Sequence, residues 1–188
     1  MLAVTGDAPE QGDYPGTGSV YDVDAIGLVE LMARLNDGVD FHGRAIDAPT
    51  SFFPGVAVNP TADDLDLEVD RFHRKIAAGA CFAMTQVLFD LGPLERLLEQ
   101  LGGSWPIPVL VGVWPLTSLA LGLRLQNEVP GITVPDAVLG RLADAGAGAA
   151  EVGVAVARDV LAGARSLASG VYLVAPFGQP ERVLDVLA

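Results

Sequence analysis

The chain has 188 residues, a length that suits one domain with a substantial buried core. Hydrophobic residues make up 51% of it, which excludes a disordered chain, and its single cysteine excludes a disulfide framework. The formal net charge of −13 argues against a nucleic-acid partner, because phosphate backbones select surfaces rich in Lys and Arg. No apolar run approaches the ~20 residues that span a membrane, and the first residues lack the features of a signal peptide. We therefore predict a cytoplasmic protein with neither a nucleic-acid nor a membrane partner.

The first part of the chain places a long turn between a short strand and a helix. Residues 2–5 form an apolar, β-prone run, and the Gly- and Pro-rich stretch that follows is too long for a simple connector. Asp22 or Asp24 then caps a predicted helix that runs to about Asn36 and is closed by Gly38. Loops of this kind at the end of a strand tend to be functional.

The remainder alternates apolar runs with amphipathic segments. The predicted strands are residues 54–60, 81–90, 107–113 and 170–176. The predicted helices are residues 64–79, 91–102, 117–127, 135–146, 149–167 and 180–187. About five strand–helix units with continuously apolar strands indicate an α/β fold, a parallel sheet covered by helices. Since five strands cannot close an eight-stranded barrel, this is either an open sheet or the later part of a barrel.

Polar side chains collect at the carboxyl ends of the predicted strands, where parallel α/β enzymes place their chemistry. They are Asp7, Asn59, Thr85, Gln86 and Thr117. The pair Thr85–Gln86 lies in the run CFAMTQVLFD, and a role in capping the next helix is an equally good interpretation of it. The chain has no dinucleotide-binding glycine fingerprint, no Walker lysine loop, no nucleophile elbow and no metal-ligand spacing. Such a rim suits the binding of a cofactor and a heteroaromatic substrate better than covalent catalysis.

Four segments in the same order carry a family resemblance: AVTGD, GVAVNP, RKIAAGACFAMTQVLFD and PVLVGVWPL. Together they resemble methylenetetrahydrofolate reductase, in particular the reductase domain of bifunctional bacterial proteins that also carry a homocysteine S-methyltransferase domain. The resemblance extends over essentially the whole chain. It implies the later part of a (βα)8 TIM-type barrel. The activity it implies is FAD-dependent reduction of 5,10-methylenetetrahydrofolate to 5-methyltetrahydrofolate, with NADH or NADPH as the hydride source.

The resemblance also assigns roles to individual residues. Asp7 matches a carboxylate near flavin and pterin that stabilises the cationic form of the folate, and Gln86 matches the residue that hydrogen-bonds the pterin, with Thr85 orienting it. The implied cofactor-binding residues are Thr5, Gly6, Asp7, Tyr21, Asn59, Glu68, Arg71, Arg74 and Lys75. Without the resemblance, Arg74 and Lys75 are equally well explained as charges at a helix C-terminus, and Asp7 as a turn residue.

The front of the chain departs from the family pattern. The family's proton donor is a Glu on its first strand, whereas this chain begins at what corresponds to the fourth strand, so residues 1–188 form a single partial domain. We expect a truncated gene product, a domain cut from a longer protein, or a half-barrel completed by another chain, including a second copy of itself. A non-catalytic half-barrel that binds flavin or folate, or that serves as a structural partner, is the alternative function.

Overall fold

A computed structural model describes residues 1–6, 8–176 and 179–188, so Asp7 lies outside the described residues. The strands are β1 (Leu2–Ala3), β2 (Gly55–Val58), β3 (Phe82–Leu88), β4 (Val109–Val113) and β5 (Gly170–Leu173). The helices are α1 (Ala25–Asn36), α2 (Leu65–Ala77), α3 (Gly92–Gln100), α4 (Leu119–Glu128), α5 (Asp136–Ala145), α6 (Ala149–Leu167) and α7 (Glu181–Leu187). None of the described helices combines the length and the apolar character needed to cross a membrane.

The five strands form one parallel sheet in the order β1-β2-β3-β4-β5, so chain order and spatial order coincide. Each connection between neighbouring strands contains at least one helix. Sequential parallel strands joined through helices are the arrangement of a segment of a βα barrel. The predicted fold class, about five βα units of such a barrel, is therefore confirmed.

The chain divides into two compact units. The first contains residues 1–57 and 70–83, and the second contains residues 58–69 and 84–188. The chain passes from one unit to the other within β2, within α2 and within β3.

In the first unit, α1 begins where its sequence predicts. The Asp24 carboxylate accepts a 2.9 Å hydrogen bond from the Gly27 amide, which satisfies one of the free N–H groups of the first turn. Gly38, with a φ of +81°, follows the end of α1. The core of this unit includes Val29 of α1 and Phe72 of α2, both with no exposed surface.

The second unit has two apolar clusters. One packs the end of β3 against α4, α5 and the loop between them, and contains Val87, Phe89, Leu125, Ile132, Val134, Val138 and Leu142. The other packs β3 and β4 against α3 and α6, and contains Leu88, Leu94, Val111, Val113, Val154, Ala157 and Val160. The β4–β5 register places Gly112 opposite Tyr172. This pairing determines which side chains surround Thr85.

Candidate functional site

The loop after β2 is held by a buried carboxylate. Glu68, in the first turns of α2, is 8% exposed, and its Oε1 accepts a 2.9 Å hydrogen bond from the backbone amide of Asn59. The Asn59 side chain in turn closes a local turn, because its Oδ1 accepts hydrogen bonds from the Thr61 amide (3.0 Å) and the Thr61 hydroxyl (2.8 Å). Glu68 therefore supports Asn59, and Asn59 supports Thr61.

The turn between α4 and α5 lies against this loop. Pro130 and Gly131 occupy the centre of a β-turn in which the Ile132 amide donates to the Val129 carbonyl at 3.3 Å. Gly131 has a φ of +77°, which a type II turn requires at its third position. The Thr61 hydroxyl also lies 3.1 Å from the Gly131 carbonyl oxygen, so one side chain links the two loops.

Gln86 extends from β3 towards the same turn. A Cβ placed on Gly131 would lie 3.1 Å from Asn59 Nδ2 and 3.5 Å from Gln86 Nε2. The two carboxamide groups therefore converge on one point beside the turn. Both side chains are half-buried, and their unbonded amide nitrogens are not fully buried, so these polar ends are accessible to a ligand.

Thr85 is bonded entirely within the sheet. It is 2% exposed, its hydroxyl donates to the Gln86 carbonyl at 2.7 Å and accepts from the Gly112 amide at 3.0 Å. The Tyr172 hydroxyl donates to the Thr85 carbonyl oxygen at 2.6 Å. Burial raises the pKa of the Tyr172 phenol above its ordinary value of 10.0, because the phenolate would lose its hydration. These bonds fix the backbone from which Gln86 projects.

Gly112 makes the bond between Tyr172 and Thr85 possible. A Cβ on Gly112 would lie 2.5 Å from the Tyr172 hydroxyl oxygen, a distance at which one of them must move. With no side chain on β4 at that position, the tyrosine ring crosses β4 and reaches the strand beyond it.

The predicted cofactor residues in the first unit differ from one another in hydrogen bonding and exposure. The Thr5 hydroxyl accepts a 3.0 Å hydrogen bond from the Ala25 amide at the start of α1, and Gly6 has open space where a side chain would project. Tyr21 is 50% exposed. Asp7, the predicted catalytic residue, lies outside the described residues, so its role stays a prediction.

The basic residues of α2 form an exposed face in the first unit. Arg71 and Arg74 are exposed and lie three residues apart, on neighbouring turns, and the ion pairs of the described residues involve neither. Lys75 donates from Nζ to the Ala57 carbonyl of β2 at 2.7 Å. Two unpaired guanidinium groups side by side have the donor chemistry that a diphosphate needs, so the residues present fit the phosphate portion of FAD.

The predicted site residues thus fall into two sets. Asn59, Glu68, Thr85 and Gln86 lie in the second unit, whereas Thr5, Gly6, Tyr21, Arg71, Arg74 and Lys75 lie in the first. The sequence did not single out Thr61, Gly112, Gly131 or Tyr172. The Pro-Gly pair at 130–131 is a type II turn signal that could have drawn attention to Gly131.

Comparison with protein families matches residues 1–174 to methylenetetrahydrofolate reductase. The chain belongs to this family. Among curated proteins no sequence matches it. The chain is also similar to a solved structure, that of an uncharacterized protein from Clostridium thermocellum. That protein is described as binding two copies of 5-methyl-5,6,7,8-tetrahydrofolic acid.

That structural likeness has a TM-score of 0.55 at 14% sequence identity, and it covers 72% of this chain and 51% of the other. At that identity it shows a shared fold alone. The chain spans about half the length of the solved structure, so the activity of a whole reductase comes to it only as a proposal.

Proposed function

We propose that this chain takes part in the FAD-dependent reduction of 5,10-methylenetetrahydrofolate to 5-methyltetrahydrofolate, with NADH or NADPH as the hydride source. The observation that carries the proposal is the family match over residues 1–174. The convergence of the Asn59 and Gln86 carboxamides at the carboxyl ends of β2 and β3 supports it, because a pterin edge offers hydrogen-bond donors and acceptors that an amide can satisfy.

In this proposal Gln86 binds the pterin, and Thr85 positions it through the backbone hydrogen bonds described above. Asp7 stabilises the cationic form of the folate by its negative charge. Thr5 and Gly6 approach the flavin ring, and Tyr21 lies beside the adenine portion. Arg71, Arg74 and Lys75 hold the phosphates, and Glu68 supports the loop that carries Asn59. FAD, when bound, supplies the two-electron chemistry that passes hydride from the nicotinamide to the folate.

The proposed activity needs a general acid, which the family resemblance places on a strand outside the five described here. β1 and β5 are the edge strands of the sheet, and each described edge strand has one neighbour. Leu2 of β1 is 41% exposed and Met1 is 66% exposed. Open strand edges of this kind tend to be covered by another segment or chain. We therefore propose completion of the sheet by a further segment, a second copy or another subunit, in a cytoplasmic enzyme.

A direct test adds FAD to the purified chain and follows flavin absorbance, then follows NADH or NADPH oxidation with 5,10-methylenetetrahydrofolate present. We expect the chain to retain flavin, and we expect folate-dependent oxidation of NADH or NADPH once a further segment or chain completes the sheet. A purified chain that shows no flavin absorbance and binds no added FAD would contradict the cofactor assignment.

The second candidate function is folate binding without catalysis. The description of the Clostridium thermocellum protein, which names folate binding and no reaction, favours it. A chain that binds 5-methyltetrahydrofolate with the same affinity whether or not FAD is present, and oxidises no nicotinamide, would support this alternative.

A further inference from the structure

We infer that Asn59 is a second substrate-binding residue, which donates a hydrogen bond from Nδ2 to an acceptor atom of the folate ring beside Gln86. The inference rests on the proposed function and gives Asn59 a role other than the cofactor contact that the family resemblance implies. We call the set Asn59, Thr61, Gln86 and Gly131 the amide niche.

The orientation of the Asn59 carboxamide is determined by its neighbours. The Thr61 amide can only donate, and it lies 3.0 Å from Asn59 Oδ1, so the oxygen must face Thr61. The Thr61 hydroxyl bonds the same oxygen at 2.8 Å. With the oxygen occupied on that side, Nδ2 faces the Pro130–Gly131 turn. Asn59 therefore offers donors, and only donors, to a ligand in the niche.

Within the described residues neither Asn59 Nδ2 nor Gln86 Nε2 has a protein acceptor in hydrogen-bond contact. Both nitrogens lie within 3.5 Å of the point where a Gly131 Cβ would stand. Two carboxamides that converge without bonding to the protein are suited to a ligand that supplies their partners. A heteroaromatic ring with a carbonyl oxygen or an unprotonated ring nitrogen has the required acceptor.

The niche is held from three directions. Glu68 accepts a 2.9 Å hydrogen bond from the Asn59 backbone amide, and the Thr61 hydroxyl shares its one proton between Asn59 Oδ1 at 2.8 Å and the Gly131 carbonyl at 3.1 Å. Gln126 of α4 anchors the other end of the turn, because its Oε1 accepts from the Val134 amide at 2.6 Å. A site whose side chains are held before the ligand arrives loses little entropy on binding, which favours affinity.

The first test is Asn59→Asp. The substitution is isosteric and keeps the oxygen that Thr61 bonds, so it removes the donor while leaving the local turn in place. We expect the affinity of the full chain for 5-methyltetrahydrofolate, measured by titration calorimetry, to fall by about tenfold or more. Asn127→Asp is the matched control, because it makes the same replacement at an exposed position of α4, outside the niche and the contacts that hold it.

The second test is Gly131→Ala, which remains informative if Asn59→Asp does not fold. Its Cβ would lie 3.1 Å from Asn59 Nδ2, which must then move, and 3.5 Å from Gln86 Nε2, and it would strain a backbone with a φ of +77°. Gly103→Ala imposes the same strain, at a φ of +80°, where nothing lies within 4 Å of the added carbon. We expect Gly131→Ala to weaken folate binding by about tenfold and Gly103→Ala to leave it unchanged.

Wild-type affinity in Asn59→Asp, or equal affinities in Gly131→Ala and Gly103→Ala, would overturn the inference while leaving the proposed function in place. Equal losses in Asn59→Asp and Asn127→Asp would also overturn it, because the added charge alone would then explain them. A wild-type chain that binds no folate would instead overturn the proposed function, and the inference with it.

Discussion

The phenol hydroxyl of Tyr172 donates a 2.6 Å hydrogen bond to the backbone carbonyl oxygen of Thr85, 87 residues earlier in the chain. The tyrosine belongs to β5 and the threonine to β3, so the bond spans the intervening strand β4 above Gly112. Since Thr85 precedes Gln86, this contact holds the segment of β3 that carries the proposed folate-binding side chain.

Tyr172→Phe removes one hydroxyl and leaves the ring. We expect the free energy of unfolding in urea to fall by about 1–3 kcal/mol, because the Thr85 carbonyl loses its side-chain donor. Tyr14→Phe is the control, since Tyr14 is 78% exposed and its substitution should change stability by less than about 0.5 kcal/mol. Equal stabilities of the two variants would contradict the structural role of the bond.

The same tyrosine predicts a pH dependence at the alkaline end. Burial raises the pKa of Tyr172 in the folded chain above its ordinary value of 10.0, so between the two values the folded chain binds more protons than the unfolded one. Its stabilising contribution is therefore fully present below pH 10.0 and is lost as the pH rises through the higher, folded-state pKa. Between pH 10.0 and the folded-state pKa, the free energy of unfolding should fall more steeply with rising pH in wild type than in Tyr172→Phe. The free energy of unfolding of both proteins is measured in urea at a series of alkaline pH values. The same dependence on pH in wild type and in Tyr172→Phe would refute this prediction.

Thr85 offers a prediction with a conservative rescue. Thr85→Val leaves the buried Gly112 amide without the oxygen that accepts its hydrogen bond, at a cost of about 1–3 kcal/mol. Thr85→Ser keeps that oxygen and should retain most of the stability and most of the folate affinity. If the serine variant is as unstable as the valine variant, the lost methyl group, and not the hydroxyl, is what matters.

The sequence predicts the long helices well and the short strands less well. The period of α6 predicts residues 149–167, and the helix spans Ala149–Leu167, because a long amphipathic pattern carries its own signal. β5 is predicted over residues 170–176 but ends at Leu173. β1 is predicted over residues 2–5 and spans Leu2–Ala3, because strand assignment needs a pairing partner and this strand pairs with the four-residue β2.

Some residues of the candidate site could be predicted from the sequence and others could not. Gln86 and Asn59 stand at strand ends that the sequence identifies, and the family resemblance gives them roles. Tyr172 and Gly112 have no such signal, because their contact depends on which residue of β5 lies opposite which residue of β4. Register of that kind is a tertiary property, and a single sequence does not contain it in any local pattern.

Arg74 tests the phosphate assignment. Arg74→Gln removes an exposed guanidinium group from the basic face of α2, and we expect FAD affinity, measured by quenching of flavin fluorescence, to fall by about tenfold. Arg141→Gln removes the same charge from an exposed position on α5 and should leave FAD affinity unchanged. Equal affinities in the two variants would favour the alternative, that Arg74 only balances the helix dipole.

The most direct measurement of the central proposal is a calorimetric titration of 5-methyltetrahydrofolate into the wild-type chain and into Gln86→Leu. Leucine has a similar size but no hydrogen-bonding group, and within the described residues the half-buried Gln86 side chain makes no hydrogen bond that holds the sheet together. We predict that wild type binds and that the variant binds at least about tenfold more weakly with unchanged thermal stability. Equal binding by both chains, or none by either, would contradict it.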